Sequence, residues 1–173
     1  MENIPKFQPG PKSSISVRLN RVRDAISPGL PALIQREFLR QDLSWFCSEL
    51  FKKLGYTVYY QEGAGECGAD VVVEIRSELL PRSLRVGVQV KAYTDGVSLQ
   101  TFKQDIQPLI GGWQKNALDY GAYLTTGLCD PACLEHLQDH NTSHADRQIV
   151  LIDSSGFGHL LLKSIGRFGS EEE

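Results

Sequence analysis

Residues 65–93 read GECGADVVVEIRSELLPRSLRVGVQVKAY, and this stretch decides the architecture. Two apolar runs lie close together across a polar connection, one over residues 69–75 and one over residues 84–91. Both are rich in β-branched residues and are bounded by Gly, Pro or Ser, which predicts a pair of strands forming a hairpin. In the second run Val86, Val88 and Val90 share one face, while Arg85, Gly87, Gln89 and Lys91 share the other. Gln89 and Lys91 therefore point the same way. Burying an amide and an ammonium without partners is costly, so something polar is expected to meet them. Asp70, at the entry to the first strand, is the nearest candidate.

An acid at the start of one strand and a Gln-x-Lys on the next outline a metal-dependent phosphodiesterase site. Asp70 is a hard oxygen ligand suited to Mg2+, Gln89 can lend its amide oxygen, and the Val90 carbonyl can complete the set. Lys91 can orient or help deprotonate an attacking water and offset charge on a phosphate. Glu74 lies four residues after Asp70 on the same strand face, as an auxiliary metal ligand or as a solvent-facing charge.

The flanking sequence extends the pattern. Leu39, Leu43, Phe46, Leu50 and Leu54 fall at helical spacing and predict a helix from about residue 31 to 54, stopped by Gly55 after Lys52 and Lys53. Residues 57–60 then predict a strand. Past Lys91, Ser98 is a candidate N-cap for a helix with Leu99, Phe102 and Ile106 on its apolar side. Pro108 is expected to kink or end that helix, which resumes over residues 113–118. Residues 122–126 and 149–152 predict strands, and Asp130-Pro131 opens a helix to about His140. Residues 156–162 predict a terminal helix or hairpin arm. The order α-β-β-β-α-β-α-β describes an α/β domain with a central mixed sheet flanked by helices.

Several of these segments resemble the Mrr-like restriction endonucleases of the PD-(D/E)xK nuclease superfamily. Ala69-Asp70 stands in place of Pro-Asp, and Gln89-Val90-Lys91 in place of (D/E)xK, a QxK variant. The likeness continues through LFKKLGYTV (50–58), VQVKAY (88–93), YGAYLTTG (120–127) and IVLID (149–153), and spans roughly residues 31–162. It implies a restriction-endonuclease-like fold. It also implies a Mg2+-dependent DNA endonuclease, Mn2+ substituting, that leaves 5′-phosphate ends with Asp70, Gln89 and Lys91 as catalytic residues. DNA is the implied partner, alongside a homodimer or a larger nuclease assembly, in restriction, defence or mobile-element processing. The family usually carries a Glu on the first helix, about three turns before Leu-Gly-Tyr, and that register falls here on Ser44. Glu37 lies two turns earlier on nearly the same side, on the order of 10 Å up the axis. Either Glu37 substitutes as a catalytic acid or the position is lost. The alternative function is a catalytically silent nucleic-acid-binding or assembly module on the same fold.

Composition sets wider bounds. The 173 residues, 41% apolar and 23% charged, suit one soluble domain with a real core. We expect residues 1–30 as a partly flexible extension with a short helix over 16–26, residues 31–165 as the nuclease domain, and 166–173 as an acidic tail. Nothing approaches a membrane span and the N-terminus lacks a signal-peptide core, so a cytoplasmic protein with reduced cysteines is expected. The net charge of −3 does not advertise nucleic-acid binding, although basic residues outnumber acidic ones before residue 41. Cys129, Cys133, His136, His140 and His144 would form a stripe on one helix. Asp130-Pro131 and Asn141-Thr142-Ser143 interrupt it, which favours an ordinary amphipathic helix over a structural zinc site.

Overall fold

A computed structural model of the chain describes residues 43–60 and 68–168. The elements are α1 (Leu43–Lys53), β1 (Thr57–Tyr60), β2 (Val71–Ile75), β3 (Leu84–Lys91), α2 (Leu99–Gly111), β4 (Tyr120–Thr125), α3 (Pro131–Ser143), β5 (Ile149–Ile152) and α4 (Ser154–Phe168). The five strands form one sheet in chain order. β1–β2 and β2–β3 pair antiparallel, and β3–β4 and β4–β5 pair parallel. This is the mixed sheet expected from the order of elements. The expected short helix over residues 16–26 and Glu37 lie outside the described residues. Among the described residues no helix is long and apolar enough to cross a membrane.

Strand alternation divides the core in two. Val71, Val73, Val88, Val90, Ala122 and Leu124 pack against Leu43, Cys47, Leu50 and Phe51 of α1 and Phe157 of α4. Val72, Tyr123 and Ile149 face the other way, against Phe102, Ile106 and Leu109 of α2 and Cys133 and Leu137 of α3. Both parallel crossovers, α2 and α3, therefore lie on one face, which one handedness of connection requires. β3 shows the expected division of faces. Val88 and Val90 enter the first core, while a Cβ on Gly87 would meet the Leu118 and Leu109 side chains of the second.

Helix ends follow local chemistry. Gly55 has φ +91°, its amide donates to the Lys52 carbonyl and the Tyr56 amide to the Phe51 carbonyl. These are the paired bonds of a Schellman stop, which a left-handed glycine allows. Ser98 caps α2 by accepting from the Thr101 amide at 3.2 Å, and Asp130 caps α3 by accepting from the Ala132 amide at 2.9 Å. α2 does not end at Pro108 but runs on to Gly111, the Gly112 amide bonding the Pro108 carbonyl. Pro108 sits exposed in the last turn, so its ring breaks little. Residues 113–117 form turns rather than resumed helix, with Ala117 at φ +48° and the Leu118 amide returning to the Trp113 carbonyl. The final segment is a helix of 15 residues despite its glycines. The Asp153 carboxylate accepts the Ser155 and Gly156 amides at its start. Trp113 is buried as a packing residue, whereas Trp45 is 57% exposed.

Candidate active site

The site forms where β2 begins and β3 ends. The β2–β3 register stops at Val71 opposite Val88, and Asp70 lies just beyond it. The Asp70 amide donates to the Val88 carbonyl at 3.0 Å. Its carboxylate Oδ2 accepts from the Val90 amide at 2.7 Å and from Gln89 Nε2 at 2.5 Å. A side-chain oxygen thus stands where a further strand residue would otherwise meet β3. Gly68 sets this approach. It has φ +81°, and a Cβ there would lie 2.1 Å from the Pro108 carbonyl oxygen and 2.8 Å from the Gly112 Cα. Only glycine lets the chain entering β2 pass so close to the C-terminal turn of α2.

The backbone of β3 contributes as well. Lys91 turns its carbonyl toward β4, where it accepts the Thr126 amide. Successive strand residues direct their amide and carbonyl to opposite neighbours, so the Val90 carbonyl leaves on the same side as its amide, toward Asp70. Gln89 is 6% exposed and spends Nε2 on Asp70, which leaves its amide oxygen as the lone-pair donor. The edge therefore gathers one carboxylate, one amide oxygen and one main-chain carbonyl, all hard oxygens. Among the described residues no three His, Cys, Asp or Glu side chains gather in metal-ligating geometry. A Mg2+ ion fits the oxygen set nonetheless, because it commonly takes one or two carboxylates and keeps several waters.

Electrostatics favour a cation at this edge. Burial pushes the Asp70 carboxyl above its ordinary range, against the Val90 amide, the Lys91 charge and the Gln89 amide, while the Asp105 charge adds to the rise. Burial also pushes the Cys47 thiol up, with the Asp70 charge as a further cause. Ser44, in the register of the family's first-helix acid, lies three residues earlier on α1.

Lys91 is half-buried, with Nζ 3.8 Å from Asp105 Oδ1 of α2. The other oxygen of Asp105 accepts the Tyr93 hydroxyl at 2.7 Å and the Tyr123 hydroxyl at 2.8 Å. Tyr93 is held in turn by Thr126, whose Oγ1 accepts the Tyr93 amide at 2.9 Å. Asp105 is the residue that sequence reasoning missed. Its signal was its spacing, three residues after buried Phe102, on the border of the apolar stripe of α2.

Asp70, Gln89, Val90 and Lys91 are thus brought together. Glu74 is not: it sits opposite Arg85 at the far end of β2, accepting from Tyr59 Oη at 3.1 Å and Arg76 Nε at 3.0 Å. Hydrogen bonds from Ser83, Arg76 and Tyr59 hold its carboxyl below the usual range. The histidine stripe follows the amphipathic reading. Cys133 is buried in the core, while His140 and His144 stack at 4.6 Å outside it.

The fold is shared with solved nucleases. The DNA modification-dependent restriction endonuclease AspBHI superposes with a TM-score of 0.54 at 12% identity, over 84% of this chain and 36% of that one. Restriction endonuclease FokI superposes with a TM-score of 0.52 at 15% identity, over 98% of this chain and 33% of that one. FokI bound to DNA gives 0.50 at 15% identity, over 91% and 31%. The chain spans about a third of the length of these proteins. No curated protein sequence matches it. Residues 36–161 match the Mrr_cat restriction endonuclease family, and over that span they carry the Asp70 and Gln89-Val90-Lys91 edge just described; the chain belongs to that family.

Proposed function

We propose that this chain is a divalent-metal-dependent DNA endonuclease domain hydrolysing phosphodiester bonds at the Asp70–Lys91 edge. The observation that carries the reading is the convergence of Asp70 and Gln89 beside the Val90 amide, in a chain of a restriction endonuclease family. Asp70, the Gln89 amide oxygen and the Val90 carbonyl are the groups to hold Mg2+, or Mn2+ in its place. The ion would supply Lewis-acid polarisation of the phosphoryl oxygen and lower the pKa of water. The remaining work falls to the protein. Gln89 and the Val90 amide orient the Asp70 carboxylate through two hydrogen bonds. Lys91 extends from the end of the strand, where its ammonium positions the attacking water and offsets charge developing on the phosphate.

The experiment is cleavage of supercoiled and linear DNA by purified protein with Mg2+ or Mn2+. Asp70→Ala and Lys91→Ala serve as comparisons, and end analysis of the product follows. The reading expects metal-dependent cutting, 5′-phosphate ends and loss of cutting in both variants. A parent protein that binds DNA but cuts nothing with either ion would instead describe a silent binding module.

A further inference from the structure

The geometry points to Asp105 of α2 as the positioning residue of the site, its carboxylate pinned by the Tyr93 and Tyr123 hydroxyls so that it holds the Lys91 ammonium beside the Asp70 edge. The two oxygens of Asp105 divide the work. Oδ2 takes both phenols, at 2.7 and 2.8 Å, and Oδ1 faces Lys91 Nζ at 3.8 Å. Two hydroxyl donors on one charged oxygen make a short, directional anchor. Three elements converge to build it: Tyr93 follows β3, Tyr123 lies within β4, and Asp105 lies within α2.

The anchor is rigid. Tyr123 is fully buried, with its ring edge-on to Phe102 at 5.0 Å between centroids. Burial, with the Asp105 hydrogen bond next, pushes its hydroxyl far above the ordinary phenol range, so it is a fixed donor. Tyr93 is fixed by Thr126, which accepts the Tyr93 amide and donates to the Tyr93 carbonyl at 2.9 Å each. A lysine side chain has several rotatable bonds and spends little time in any one arrangement unless something holds its end. Asp105 holds it from one side, at the end of the strand whose Gln89 side chain and Val90 amide bond Asp70. The catalytic consequence rests on the nuclease reading above; the contact itself does not.

The test uses the full chain, with its lysines converted to 13C-dimethyl-lysine, which stays cationic. The Lys91 methyl resonance is assigned by its loss in Lys91→Arg. In the parent it should stand apart from the exposed lysines. In Asp105→Asn it should move onto their envelope, and in the surface control Asp139→Asn it should stay in place. Asp105→Glu should return it part of the way. Tyr93→Phe, which leaves the carboxylate but removes one anchor, gives a smaller shift and serves if the Asn variant folds poorly. Under single turnover, Asp105→Asn should cut DNA about 100-fold more slowly, the scale expected when a reacting group is misplaced by an ångström. A Lys91 resonance that ignores Asp105→Asn, or cutting at the parent rate in that variant, overturns the assignment. If the parent cuts no DNA while the resonance still moves, the nuclease reading fails and the positioning contact stands.

Discussion

Asp70 is half-buried against its own chemistry. Its carboxyl lies above the ordinary range because burial outweighs the Val90 amide, Lys91 and Gln89. A carboxyl raised on folding contributes stability below its unfolded pKa and loses it as pH rises through the folded value. Replacing the charge should therefore help a metal-free protein. Asp70→Asn, whose amide oxygen can still accept from Val90, should melt higher than the parent near pH 7 in chelator. The difference should vanish as the pH falls to about 4, where an ordinary carboxyl is half protonated. Thermal denaturation across that range checks it, and a variant less stable at neutral pH would contradict it. Lys91 carries the opposite kind of prediction. Lys91→Ala should leave the melting temperature near that of the parent and slow cleavage by about 10²- to 10⁴-fold, the span of a positioned proton-transfer group. Single-turnover rates beside melting curves separate the two effects.

Between elements, one close approach sets the site and one clamp ties down the opposite end of β3. Gly68 lets the chain entering β2 pass the end of α2, with the Pro108 carbonyl 2.1 Å from where a Cβ would lie. Backbone atoms on both sides cannot yield as a flexible side chain would. Gly68→Ala should destabilise the protein by about 2 kcal/mol or more, from left-handed strain and overpacking together. Because Asp70 lies two residues on, cleavage should fall further than stability explains. Gly55→Ala provides the contrast, since its Cβ meets nothing within 4 Å and only the conformational cost remains. Urea titration of both variants distinguishes them. The clamp is at the other end of β3, where Arg82 pairs both guanidinium nitrogens with Asp119, which also accepts the Arg85 amide at 2.8 Å. The Arg82 hydrogen bond, chiefly, holds the Asp119 carboxyl below the usual range. A depressed carboxyl contributes stability above its unfolded pKa and loses it as pH falls through the folded one. Asp119→Asn should therefore lower the urea midpoint near neutral pH and flatten its decline in acid. A midpoint that falls as steeply in the variant as in the parent would contradict this.

Across the whole molecule, the elements made of short-range pattern were legible in the sequence. Period-two alternation in residues 84–91 divides β3 as the structure does, with Val88 and Val90 on one core and Gln89 on the other face. The hairpin with 69–75 followed from β-branched runs, and Gly55 from its place after a basic last turn. What alternation could not supply was the partner across the sheet. Asp105 lies on a helix 14 residues past Lys91, and only the β3–α2–β4 crossover brings it over Lys91 and beside Tyr123. Its border position on the apolar stripe was visible, but such a residue usually faces water. Glu74, open between an auxiliary ligand and a solvent-facing charge, is decided by distance. Alternation places it correctly on the face of Asp70, yet four residues of extended chain carry it to the far end of the strand, among Tyr59 and Arg76. The 113–117 turns show a local rule yielding to tertiary packing, with Trp113 and Leu118 buried against α2 and β4.

The proposed chemistry rests on the oxygen set at the edge of β2 and β3. The most direct measurement is an anomalous difference map from a crystal soaked in Mn2+. One peak is expected, about 2.1 Å from the ligand oxygens, bonded to the Asp70 carboxylate, the Gln89 amide oxygen and the Val90 carbonyl, with Lys91 reaching toward its water. A map with no peak at that edge, or with the ion held by other residues, would contradict it.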